Sequence, residues 1–137
     1  MTEPGRELLI QVPGSKSIAN RALICAALAN SNSTITNCAP GDDTQAMLEA
    51  LKTLGVVTDQ DGTTVRINSQ INLEDTQPLE LQTRLAGTTS RFLTALGALR
   101  IGQTTIDGYA PLRKRPMTGL HDALLSLGAS VKSLEIA

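Results

Sequence analysis

Basic side chains stand beside small-residue turns at three places in this sequence, and each of the three leads into a helix. The first is Pro13-Gly14-Ser15-Lys16-Ser17, followed by a helical stretch that carries Asn20 and Arg21. Ser17 and Arg21 are four apart and share a helical face, while Lys16 sits where the first backbone N–H groups of the helix point outward. Those amides, the positive end of the helix dipole and two side-chain cations would act together on a carboxylate or a phosphate. The second segment, Ala86-Gly87-Thr88-Thr89-Ser90-Arg91, repeats the plan, with Gly87 permitting close approach to the backbone. The third, Arg113-Lys114-Arg115-Pro116, places three cations before a helix, and the planar fork of Arg binds two oxygens at once. Taken singly, each could be only a turn, a cap or a solvated charge run, and the GxxxxGK[ST] phosphate loop is absent. Their recurrence at equivalent helix starts is what points to an anion site.

Other chemistries find less support. His121, the only histidine, lies beside the apolar stripe of its helix and reads as a surface residue. Asp42 and Asp43 read as carboxylates of a first helical turn, with a possible second use in neutralising or positioning Lys16. There is no Ser/His/Asp set, no metal-ligand spacing and no carboxylate pair of glycosidase type. Cys25 and Cys38 fit neither a zinc site nor a redox pair and read as buried, reduced thiols.

The elements that must carry these residues are written twice. Gly14 to Asn37 is a turn, an Arg-bearing apolar helix and a short Thr/Ile strand, and so is Ala86 to Gly108. Arg91 takes the place of Arg21, Leu93 that of Leu23, and Ile106 that of Ile35, with a register drift of one residue. A second helix follows each copy. Met47, Ala50, Leu51 and Leu54 recur as Leu120, Ala123, Leu124 and Leu127, the spacing of one buried face. Gly55 and Gly128 suit left-handed C-terminal caps. Asp42 with Gln45 suggests a capping box, and Pro116 a first-turn proline. Asp61-Gly62 marks a hairpin, Ser69 to Gln77 a polar connection, and Leu79 and Leu81 a first strand of the second copy. A last strand is expected from near Val131, without the partner strand of the first copy. The fold class is α/β: repeated βαβαββ units, about 12–68 and 79–137, with mixed sheets packed against helices rather than a purely parallel doubly wound sheet. The 1–137 span reads as part of a larger domain whose second unit is incomplete, so an unpaired strand edge and self-association are expected.

With 41% apolar and 18% charged residues among 137, the composition is that of a soluble globular chain, its core built from Leu, Ile, Val and Ala because Phe and Tyr occur once each and Trp not at all. The formal net charge of -1 offers no basic footprint for nucleic acid. The start lacks the pattern of a secretory signal and no apolar run is long enough for a membrane span, so a cytoplasmic location is expected.

Taken in order, VPGSKSIANRALICAALA, GDDTQAMLEALKTLGV, AGTTSRFL and RKRPMTGLHDALLSLGA resemble the 5-enolpyruvylshikimate-3-phosphate synthase family, over essentially all of Val12 to Gly128. The PGSKSxxxRA element is the specific part. The resemblance implies repeated βαβαββ units in two similar domains with substrates bound between them, this chain matching the first third. It also implies that Lys16 contacts both phosphoenolpyruvate and shikimate 3-phosphate, with Lys16 the candidate catalytic residue here. Ser17 and Arg21 would hold the shikimate part, Gly87 would lie against phosphoenolpyruvate, and Arg115 would bind it. Many members have Asn-Ala-Gly-Thr-Ala-Met-Arg-Pro at the second loop, where this chain has Leu85 for the Asn and Phe92 for the Pro.

The reaction implied is enolpyruvyl transfer to the 5-hydroxyl of shikimate 3-phosphate with release of phosphate, with no cofactor. The family's acid–base residues fall in a later part of the chain, so the 137 residues alone are expected to be inactive and to need the remainder of the enzyme as partner. Two alternatives stand beside this reading: a non-catalytic anion-binding module on the same fold, and a relative of UDP-N-acetylglucosamine enolpyruvyl transferase, whose corresponding turn is of GAKNA type.

Overall fold

The computed structural model describes residues 8–134, so the reading of the extreme N-terminus and of the last three positions lies outside the described residues. The elements run α1 (Lys16–Leu28), β1 (Ser33–Ile35), α2 (Asp42–Thr53), β2 (Thr58–Asp61), β3 (Thr64–Ile67), β4 (Leu79–Gln82), α3 (Gly87–Gly97), β5 (Thr104–Asp107), α4 (Ala110–Arg113) and α5 (Thr118–Ser126).

Two small sheets result. β3 pairs antiparallel with β1 on one side and with β2 on the other, and β4 pairs parallel with β5. The β2–β3 hairpin turns at Gly62, whose φ of 56° suits a residue without a side chain. The β4–β5 pair is joined through α3, the long crossover that parallel strands require. The α/β class holds, with helices on small sheets, but neither sheet is itself mixed: one is wholly antiparallel and the other wholly parallel.

The core forms where α1, α2 and α3 lie on these strands. Leu23, Met47, Leu51, Val65 and Leu93 are wholly buried, and Ile67 and Leu81 nearly so. Each such side chain contributes about 1.5–3 kcal/mol through removal from water. The α2 stripe behaves as its period demands, with Met47, Ala50, Leu51 and Leu54 all buried. The α5 stripe does not: Leu124 is buried at 9% exposure, but Leu127 is 83% exposed and Ala123 is exposed. Period alone creates an apolar face, while burial needs an opposing element, and none among the described residues covers this one.

Other local expectations are corrected in the same physical way. No capping box forms at α2, because Gly41 is the N-cap and Asp42 already lies in the helix, with its carboxylate committed elsewhere. Met117 caps α5, leaving Pro116 outside the helix, and Arg113 closes the single turn of α4. Residues 129–134 form no strand, since no described strand lies alongside to complete a ladder. Cys38 is buried, its thiol pKa raised by desolvation, but Cys25 is exposed because it sits two positions from Leu23, across the axis of α1. Gly55 and Gly128 adopt φ of 85° and 91°, the left-handed caps that stop α2 and α5.

The polar connection of residues 69–77 is held at both ends. Ile71 N–H donates to the Ala27 carbonyl at 3.0 Å, and Ile101 N–H to that of Leu73 at 3.0 Å. Buried Arg100 reaches Gln77 O at 3.0 Å, Thr104 Oγ1 at 2.8 Å and Asp75 at 3.4 Å.

Candidate functional site

The starts of α1, α2 and α3 meet. They are preceded by Ser15, Gly41 and Ala86, and none of these three gives a side-chain hydrogen bond to the helix it precedes. The leading N–H groups of all three are thus left free of side-chain caps, with the positive ends of three helix dipoles nearby.

A buried polar chain holds the starts together. Asn20 Nδ2 of α1 donates to Thr89 Oγ1 of α3 at 3.0 Å, and Thr89 Oγ1 donates to the Asp43 carbonyl of α2 at 3.1 Å. Asn20 and Thr89 are wholly shielded from solvent. Lys16, first residue of α1, brings its Cε to 3.7 Å from where a Cβ on Gly41 would stand, so its stem crosses to the start of α2. Ser17 and Arg21 are exposed on the same helix. The Arg21 Cζ lies 5.8 Å from the ring centroid of Phe92 on α3, within cation–π range.

Gly87 and Arg115 are direct neighbours. A Cβ on Gly87 would stand 2.6 Å from Arg115 Nη1 and 3.3 Å from Arg91 Nη1, so the missing side chain makes room for guanidinium groups. Arg91 donates from Nη1 to the Gly87 carbonyl and from Nη2 to the Pro116 carbonyl, both at 3.3 Å, which ties the segment bearing Arg115 to the start of α3. The expected site residues thus fall into two groups, Lys16, Ser17 and Arg21 on α1, and Gly87 with Arg115 beyond α3. Asn20–Thr89 and Arg21–Phe92 join the two groups.

The described arginines divide by charge pairing. Of the seven described arginines, Arg66, Arg84, Arg100 and Arg113 are each bridged to a carboxylate. The other three are Arg21, Arg91 and Arg115, and Lys16 likewise has no carboxylate partner among the described residues. Asp42, which might have neutralised Lys16, pairs with Arg84 instead. Unneutralised cations next to uncapped helix starts form a place for a polyanionic ligand.

Arg84 is a site-flanking residue without a sequence signal. Its Nη2 donates to both oxygens of Glu49, at 2.8 and 2.7 Å, and its Nη1 pairs with Asp42, which raises the guanidinium pKa further above its ordinary value. Its φ of 54° is left-handed, and its carbonyl accepts the Tyr109 N–H at 2.8 Å. Next to it Leu85 is 46% exposed, an apolar side chain on the loop that leads into α3. His121, expected at the surface, is half-buried and lines a cavity together with Arg115, its Nδ1 lying 3.3 Å from Ser133 Oγ.

Residues 7–136 match the family model described as EPSP synthase (3-phosphoshikimate 1-carboxyvinyltransferase). The chain belongs to the EPSP synthase family. A 3-phosphoshikimate 1-carboxyvinyltransferase from Opitutus terrae is 43% identical over 130 residues, which is 92% of this chain and 30% of that protein. The one from Hamiltonella defensa is 42% identical over 130 residues, with the same shares. Among solved structures, EPSP synthase from Acinetobacter baumannii superposes with a TM-score of 0.77 at 25% identity, covering 92% of this chain and 29% of the other. The chain therefore spans about 30% of the length of the EPSP synthases it matches.

Proposed function

We propose that this chain supplies the cationic part of an enolpyruvyl transferase site, within a protein that transfers the enolpyruvyl group of phosphoenolpyruvate to the 5-hydroxyl of shikimate 3-phosphate and releases phosphate. Lys16 serves both substrates, Ser17 and Arg21 hold the shikimate 3-phosphate, and Gly87 with Arg115 receives phosphoenolpyruvate. The observation that carries the reading is the group of cations without carboxylate partners among the described residues, at the meeting of three uncapped helix starts, while the other described arginines are paired. Both substrates are multiply charged anions, and fixed N–H groups and cations stabilise negative charge without reorganising as the reaction proceeds. The acid–base groups belong to the rest of the protein, so the 137 residues bind without turning over. A two-unit division at about 12–68 and 79–137, a cytoplasmic setting and self-association through the exposed α5 face belong to the same reading.

Calorimetric or NMR titration of the 137-residue chain with each substrate, singly and together, tests the proposal. Saturable binding of phosphoenolpyruvate that is weakened at least ten-fold in Lys16→Ala and in Arg115→Ala is expected, in line with the loss of charge-assisted hydrogen bonds. Binding unchanged in both variants would overturn the assignment, and turnover by the isolated chain would overturn the division of labour.

A further inference from the structure

Arg21 is held in an unusual way for a cation at a ligand site. No carboxylate or hydrogen-bond acceptor of the described residues engages its guanidinium, and what lies against it is the face of Phe92, the sole phenylalanine of the chain, 5.8 Å from centroid to Cζ. Phe92 is itself half-buried and packed on the core, so it is fixed from below. Thr89 and Phe92 are three apart on α3 and share a face, while their partners Asn20 and Arg21 are adjacent on α1. The α1–α3 seam is therefore joined by a buried hydrogen bond with an aromatic–guanidinium contact at its exposed margin.

We infer that Phe92 is a positioning residue for Arg21, orienting its guanidinium toward the phosphate-bearing ligand across the seam between α1 and α3. A carboxylate could also fix Arg21, but it would neutralise the charge and occupy the donors that a phosphate needs. An aromatic face attracts the guanidinium charge through its π system without occupying its N–H donors. The stack also connects the α1 group of Lys16, Ser17 and Arg21 with the helix that begins at Gly87. The ligand part of the inference rests on the proposed function; the stack itself does not.

The test uses the 137-residue chain with Phe92→Leu and Phe92→Tyr, the second keeping the ring. The Arg21 Nε–Hε resonance, observed by NMR in each protein, reports the ring directly. A ring-current shift present in the parent chain, kept in Phe92→Tyr and abolished in Phe92→Leu is expected. Titration with shikimate 3-phosphate should show the dissociation constant raised about two- to five-fold in Phe92→Leu and restored in Phe92→Tyr, the range of an exposed cation–π contact. Phosphoenolpyruvate binding should change less than two-fold in either variant. Absence of the ring-current shift in the parent chain overturns the stack. A shift that behaves as expected, with shikimate 3-phosphate affinity equal in all three proteins, overturns the positioning role. A shift that behaves as expected in a chain that binds no shikimate 3-phosphate overturns the ligand assignment and leaves the stack standing.

Discussion

Asn20 and Thr89 are 69 residues apart in sequence, and the 3.0 Å hydrogen bond between them lies in a place that water does not reach. Replacing Thr89 by Val keeps the shape and deletes the hydroxyl, leaving Asn20 Nδ2 and the Asp43 carbonyl without this partner. The expected loss is about 1–3 kcal/mol, the cost of an unsatisfied buried donor, read as a lower urea midpoint at unchanged slope. A midpoint equal to that of the parent chain would mean that the bond does not stabilise the seam.

Gly14 and Gly87 should respond differently to alanine, although both stand in small-residue turns. A Cβ on Gly14 would collide with the Asn37 backbone carbonyl, which has nowhere to go, whereas one on Gly87 would meet the far end of the Arg115 side chain. Gly14→Ala should therefore lower stability by about 1–3 kcal/mol, the range of overpacking. Gly87→Ala should leave the melting temperature nearly unchanged and weaken phosphoenolpyruvate binding by displacing Arg115. Thermal melts with calorimetry on the two variants check this contrast, and equal destabilisation would refute it.

Arg84 offers a sign test. Both Arg84→Ala and Arg84→Gly lose the contacts to Asp42 and Glu49, but only alanine must hold a side chain at a φ of 54°. Glycine should therefore be the more stable replacement, by about 1 kcal/mol in urea denaturation. Alanine equal to or better than glycine would show that the turn relaxes out of the left-handed region once the ion pairs are gone.

The Asp107 carboxyl is held below its ordinary pKa, first by its hydrogen bonds from Arg113, at 2.9 and 2.6 Å, against an opposing effect of desolvation. A depressed folded-state pKa means that the unfolded chain binds the proton more readily. This contribution is therefore complete above the unfolded carboxyl pKa of about 3.9 and fades as pH falls through the folded value. Arg113→Gln should melt below the parent chain at pH 6, with the gap closing toward pH 2. Because the pair is partly exposed, the gap should also shrink in high salt. A gap independent of pH would assign the effect of Arg113 to packing.

Some local patterns are legible in the sequence because forces over a few residues decide them. The α2 face, the Gly55 and Gly128 caps and the hairpin at Gly62 follow from period and backbone freedom over a few residues. The cations Lys16, Arg21 and Arg115 were visible because their types recur beside small-residue turns. Arg84 gave no such signal, because its partners Asp42 and Glu49 lie 42 and 35 residues away and its left-handed backbone would have been expected of glycine. Phe92 registered only as a departure from relatives, since its role depends on a helix that starts 76 positions earlier, at Lys16. The α5 face failed for the opposite reason: its period is genuine, but burial depends on neighbours that periodicity does not contain.

The wide separation of Asn20 from Thr89 also sets an order of events on the ribosome. When α1 and α2 first emerge, the hydroxyl that will accept from Asn20 Nδ2 has not been made, and the side of α1 that meets α3 stays open to water. The seam between α1 and α3 cannot close until translation has passed the loop at Gly87 and carried α3 out of the exit tunnel. A synonymous change that slowed synthesis between residues 70 and 90 would prolong that open state, so chaperone binding during translation should peak there, although the finished protein would be identical.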